Sequence, residues 1–200
     1  MGALTACGES DGKAKGAASV SAAASTAPSA SASAAPKAAA AVGGDGTACK
    51  LPVAFDLAAD WKPKAVTHQD DEQFAALFKQ GGLTLQCEID AKPAGNIGFL
   101  RVWTADKAAG NARQVLEAFV GEEKATGTPV YTDVSAGKLQ GVEAAYVTSP
   151  LDEPKKEHAF AVVTPGGAAV VVQLGGLDSA EHDAMLPAYR LAQQTLKAAG

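Results

Sequence analysis

Two hundred residues with a formal charge of −5 and no basic stripe make a poor nucleic-acid binder, so none is expected as a partner. No run of about 18 apolar residues occurs, so no segment reads as a membrane-spanning helix. Ala, Ser, Gly and Pro fill the first quarter of the chain, and no Trp, Tyr or Phe precedes Phe55. A stretch without large apolar side chains cannot offset the entropy of ordering its backbone. The remaining segment of roughly 150 residues is a comfortable size for one core.

The chain therefore divides into residues 1–7, a tether over 8–48 and one globular domain over 49–200. Leu4-Thr5-Ala6-Cys7 matches the bacterial lipobox, Leu-(Ser/Thr/Ala)-(Gly/Ala)-Cys. In proteins with that motif the cysteine thiol receives a diacylglyceryl group and the chain is cut just before it. Small residues ahead of the cut let an extended backbone lie close to the peptidase. Only six residues precede Cys7, too few for a charged region and an apolar core, so the true signal is expected upstream of Met1. The competing reading is a chance match around an ordinary thiol. The tether that follows favours lipidation of Cys7, and with it a partner in the membrane and a place on the outer face of the cytoplasmic membrane. As a coil, that tether spans roughly 35 Å and at full stretch about 130 Å.

With Cys7 lipidated, Cys49 and Cys87 remain, and an exported protein meets oxidising surroundings. A disulfide is the favoured reading and two free thiols the alternative. A metal site is disfavoured for want of close His or Cys neighbours, and a nucleophile because an inward strand position keeps a thiol inert.

Short strands around residues 51–55 and 61–66 open the domain around a turn, with the prolines keeping them at an edge. Asp70-Asp71-Glu72 ahead of Phe74, Leu77 and Phe78 predicts a short helix, ended by Gly81-Gly82. Leu83, Leu85, Cys87 and Ile89 alternate with polar residues, which predicts a strand with all four on one inward face. A hairpin leads to a strand over 96–104, and a helix spans Asn111 to Val120. Strands are predicted at 128–135, 141–148, 157–164 and 168–174. Valine on both faces of the last makes it a central strand. Asp178 and Glu181 frame a capping box that opens the last helix, with Met185, Ala188, Ala192 and Leu196 buried and a kink at Pro187.

The sum is an α+β fold, a mostly antiparallel sheet flanked by helices. The Pro52…Trp61 opening, the antiparallel middle, the Val-rich strand before the last helix and the pattern Glu181…Leu186-Pro187-Ala188-Tyr189…Leu191 together resemble the PsbP-like fold over residues 50–198. The resemblance implies an α/β/α sandwich. It also implies a cell-envelope lipoprotein of actinobacterial type, a family setting in which members are mostly non-catalytic binding or assembly proteins.

The chain carries few signs of catalytic chemistry. The nucleophile elbow, the phosphate-binding loop, the His-Glu-x-x-His pair and the dinucleotide fingerprint do not occur, so no catalytic residue, cofactor or metal is assigned. Asp178, Glu181, His182 and Asp183 form the best cluster, and helix capping explains it better than metal binding. His68 beside its acidic neighbours reads the same way. Lys155 and Lys156, beside Glu153 and Glu157, read as a solvated turn, and His158 as an exposed residue. Trp61, Trp103 and Tyr131 read as core rather than as a stacking platform. The favoured function is a tethered, non-catalytic binding or scaffold domain with an envelope protein or cell-wall partner. A carrier of a small apolar ligand would need an empty apolar cavity, and a wall hydrolase would need paired carboxylates in a cleft.

Overall fold

The structure is a computed structural model that describes residue 2 and residues 36–67 and 76–199. Cys7, His68 and the acidic run 70–72 lie outside the described residues. So does most of the helix predicted there, of which Ala76–Phe78 forms a single 3₁₀ turn.

Buried valine on both faces of one strand demands a layer on each side of it. That strand is β10 (Ala169–Gly176), and it lies in the middle of an eight-stranded sheet. The order is β3 (Lys62–Ala65), β5 (Leu83–Asp90), β6 (Gly98–Ala105), β10, β9 (Lys155–Val163), β8 (Leu139–Thr148) and β7 (Val130–Ala136), with the two-residue β4 (Lys79–Gln80) also on β5. Every pairing in it is antiparallel.

One face of β10 presents Val170, Val172 and Leu174 to helix α2 (Ser179–Thr195), whose Met185, Tyr189 and Ala192 are buried there. Val53, Phe55 and Leu57 of β2 (Val53–Ala58) join this core. The other face presents Ala169 and Val171 to Leu116 and Phe119 of helix α1 (Ala112–Glu122). Asn111 and Gln114 close a reciprocal capping box at the start of α1, which satisfies two amides that have no partner within the helix. The result is the layered, mostly antiparallel fold the sequence predicts.

Three details differ from the sequence reading. The opening strands do not form one hairpin. β3 joins the large sheet, while β2 lies in a separate three-stranded sheet between β1 (Ala38–Val42) and β11 (Lys197–Ala198). β1 falls within the stretch assigned to the tether. Its alanines stay exposed while its backbone pairs antiparallel with β2, its Val42 is fully buried, and the chain turns at Gly43. There φ is +88° and a Cβ would collide with the Val53 carbonyl, so the turn requires glycine.

The third difference is in β5. Its four apolar residues are all buried, but they do not share a face. A bulge between Leu85 and Cys87 places Gln86 out of register with β6. Leu83 and Leu85 consequently pack on the α1 side, and Cys87 and Ile89 on the α2 side, because one extra residue reverses the alternation.

Cys87 thereby faces the layer that holds Cys49, and the two form a disulfide with Cα atoms 5.9 Å apart. The 38-residue separation implies a loop-closure contribution of about 4 kcal/mol in the chain-entropy model. Replacing both cysteines by serine is expected to lower unfolding stability by about 2–4 kcal/mol, read as a lower urea midpoint. Reducing agent should then have no further effect on the double variant.

Candidate functional site

Helix α1 is shorter than the sheet face it covers. It packs over Trp103, Val171, Ala161 and Ala144 and ends at Glu122. Beyond that point no other described residue covers the same face, and an open cleft of about 890 Å³ lies there among the described residues, a volume typical of small-molecule sites.

Its floor follows from strand register. Glu88, Arg101 and Gln173 lie in one row across β5, β6 and β10. Phe99, Gly175 and Glu157 lie in the next, across β6, β10 and β9. Three of the four large apolar side chains that stand exposed among the described residues, Leu77, Ile97 and Leu177, line the cleft.

The floor is polar and tightly wired. Arg101 Nε donates to Glu88 Oε1 at 2.8 Å, and the guanidinium sits 5.2 Å from the centre of the Phe99 ring. Glu123, capping the end of α1, accepts 2.8 Å hydrogen bonds from Gln80 Nε2 and Gln173 Nε2. Lys155 Nζ pairs with Glu157 Oε1 at 2.7 Å. Glu157 is only 3 % exposed, and its Oε2 has no hydrogen-bond partner. The Trp103 Nε1 donor is likewise buried and unpartnered. Burial pushes the Glu157 carboxyl up to about 7, against the opposing pull of Lys155, because the charged form loses its water. Gly175 leaves the room this carboxyl occupies, since a Cβ there would stand 3.3 Å from Oε2.

A second polar cluster lies under α2. Glu143 accepts from Arg190 and, at 3.3 Å, from Gln193 Nε2. His158 Nδ1 and His182 Nε2 are 2.9 Å apart with rings stacked at 4.8 Å. His182 Nδ1 meets Asp183 Oδ1 at 3.3 Å, and Asp183 pairs with Lys156 at 2.6 Å. Two neutral imidazoles hold one proton each, enough for these two contacts. His158 Nε2 then faces Glu143 Oε1 at 3.7 Å without a proton between them. Burial lowers His158 to about 4 and lowers His182 as well. This cluster fastens the helix to the sheet and has no open face in the cleft.

Several sequence assignments change here. His158 is not an exposed residue but is packed against α2, and Lys155-Lys156 is not a solvated turn but the start of β9, with both ammonium groups paired. Asp178 does cap α2, accepting from Ala180 and Glu181 amides at 2.8 Å. Glu181 does not complete a box, for its carboxylate accepts from the Ile97 amide at 3.0 Å instead. Trp61 and Trp103 are both buried, while Tyr131 is partly covered with Arg113 over its ring at 4.3 Å. Among the described residues, no group of three or more His, Cys, Asp or Glu side chains is placed to hold a metal ion, and no helix is long and apolar enough to cross a membrane. The cleft residues Arg101, Glu157 and Gln173 escaped the sequence reading. A glutamine inside the valine run of β10 was the available signal.

A family described as "Uncharacterised lipoprotein" matches residues 18–196. The chain belongs to this lipoprotein family. Membership implies attachment to a membrane through lipid. No curated protein matches the lipoprotein. Among solved structures it is similar to the solution structure of cyanobacterial PsbP (CyanoP) from Synechocystis, with a TM-score of 0.50 at 10 % identity over 74 % of this chain and 86 % of that one. That likeness establishes a PsbP-like fold for the lipoprotein and speaks to fold alone.

The two clusters give opposite pH dependences. The raised Glu157 carboxyl contributes stability that is complete below the unfolded value of 4.5 and is lost as pH rises through about 7. The lowered histidines contribute stability that is complete above 6.5 and is lost as pH falls through about 4. Glu157→Gln is therefore expected to match the wild type near pH 5 and exceed it by about 2 kcal/mol near pH 8. Thermal unfolding across that range checks this, and equal curves at both ends would contradict the assignment.

Proposed function

We propose that this lipoprotein is a non-catalytic binding protein of the bacterial envelope, anchored by lipid on Cys7 at the outer face of the cytoplasmic membrane, with the open cleft as its binding site. The observation that carries the reading is the half-covered sheet face. A sheet face left open beside a helix exposes apolar surface unless something occupies it, and here the opening is concave and lined by positioned polar groups. Family membership supports the anchor, Cys7 is the residue that fits the lipobox, and the Ala-rich composition favours an actinobacterial source.

The cleft also bears on the alternatives. A carrier of a wholly apolar ligand is less well supported, because burying an uncharged chain on this floor would desolvate Arg101, Lys155 and Gln173 without replacing their hydrogen bonds. A hydrolase would draw on the cleft carboxylates. Of these, Glu122 stands at the exposed rim, while Glu88, Glu123 and Glu157 are engaged by Arg101, by two amide side chains and by Lys155 respectively, an arrangement suited to holding a shape rather than exchanging protons.

Mass spectrometry of the full chain recovered from its native membranes, without reduction, tests the proposal. The expected N-terminal peptide begins at an acylated Cys7, and the purified protein releases no soluble fragments from isolated cell wall. An unmodified Cys7 in the soluble fraction would remove the anchor, and released fragments would remove the non-catalytic role.

A further inference from the structure

The polar groups of the cleft floor differ in how far they are satisfied. Glu88, Glu123 and Glu157 are each engaged through one oxygen, with Oε2 of Glu157 unpartnered, whereas Arg101 and Lys155 keep N–H groups beyond their ion pairs. Arg101 carries five N–H groups, and its ion pair with Glu88 runs through Nε while the side chain stays 37 % exposed. Lys155 carries three N–H groups, and its pair with Glu157 uses Oε1. Trp103 Nε1, on a residue 5 % exposed, has no partner at all. Unspent donors call for a group that only accepts, and the strongest such group is an oxyanion, which Arg binds through its planar fork. Beside them, Ile97 and Leu177 are joined by a backbone hydrogen bond of 2.9 Å and stand 53 % and 63 % exposed at the rim. Their adjacency makes a continuous apolar ledge beside the floor that carries Arg101 and Lys155, with Phe99 between ledge and guanidinium.

We propose that the cleft binds an anionic amphiphile, its carboxylate or phosphate head on Arg101 and Lys155 and its acyl chain along Phe99, Ile97 and Leu177. This rests on the reading of the cleft as a binding site. The head replaces water on donors that the protein leaves unspent, and the chain covers the ledge.

Glu157 then sets how freely Lys155 can serve. The charged groups facing its carboxyl are Lys155 on its own strand, Arg101 on β6 and Glu123 at the end of α1, with the Tyr146 hydroxyl on β8. When protonated, Glu157 releases Lys155 and becomes one more donor. When ionised, it competes with the ligand head for the same ammonium.

The test uses the full chain with its disulfide intact, titrated by calorimetry and tryptophan fluorescence with decanoate and decyl phosphate below their micelle concentrations. Decyl maltoside, decyltrimethylammonium and inorganic phosphate serve as comparisons. Both anionic probes, or at least one, should bind about tenfold or more tightly than the neutral and cationic ones. Arg101→Gln should weaken that binding about tenfold, and Ile97→Ser with Leu177→Ser by a similar factor, without altering the melting curve. Decanoate, whose charge is constant above about pH 6, should bind several-fold more weakly near pH 8 than near pH 6, and Glu157→Gln should abolish the difference. Binding of decanoate alone would point to a fatty acid as the natural source, and of decyl phosphate alone to a phospholipid.

Equal binding of the maltoside, tighter binding of the ammonium probe, or equal binding of inorganic phosphate would each overturn the assignment. Native mass spectrometry separates this failure from failure of the underlying reading. If no probe binds but a co-purified molecule is lost with the cleft-filling Ser149→Trp, the cleft serves another ligand class and only the head-and-tail assignment falls. If no probe binds and no molecule co-purifies, the cleft is not a binding site.

Discussion

The burial of β10 on both faces is the constraint from which the rest of the architecture follows. Val170, Val172 and Leu174 need one cover and Ala169 and Val171 another, so a single layer of helices could not complete the domain. On one side the cover is generous, with α2 and β2 sharing the work. On the other, among the described residues, it is one eleven-residue helix, and a helix of that length runs only about 16 Å. The sheet extends past its end. The cleft is thus the direct geometric remainder of a short helix on a long strand, and side-chain choice along β6, β9 and β10 turns that remainder into a polar floor.

Much of this was legible in the chain because local patterns agreed with the global fold. Strand periodicity located β5 to β10, the valine run identified the central strand, and Asp178 marked the start of α2. The failures share a physical cause, which is that one-dimensional alternation carries no information on which face of a sheet a residue meets. Leu83, Leu85, Cys87 and Ile89 alternate faultlessly, yet the bulge at Gln86 divides them between two cores. Glu157 looks like one charge among several in a polar stretch. Only the pairing of β9 with β10 sets it opposite Gly175, where it is buried. β1 was hidden for a different reason. Alanine has little strand preference of its own, and its pairing depends on the exposed edge that β2 offers.

The two polar clusters illustrate different uses of buried charge. Under α2, Glu143 accepts from Arg190 and Gln193 and so joins the helix to β8, while the His158–His182 contact joins it to β9. Such a network specifies one docking of the helix among the many that apolar contact alone would allow. On the cleft floor, Oε2 of Glu157 and Nε1 of Trp103 are left without partners. Buried polar atoms in that state are costly, and both lie beneath the floor of the cleft.

The disulfide has a mechanical meaning as well. β1 is the outermost element at the N-terminal side of the domain, and it lies along the edge of the small sheet. A tensile load entering at residue 36 would meet the β1–β2 ladder first and could peel it residue by residue. Seven residues after Val42 the load reaches Cys49, where the covalent link passes it into β5 of the large sheet, one strand in from the β3 edge. The domain therefore has a sacrificial strap followed by a fixed stop. Extension of the strap would lengthen the connection to the membrane while leaving the cleft, which lies beyond the stop, in shape.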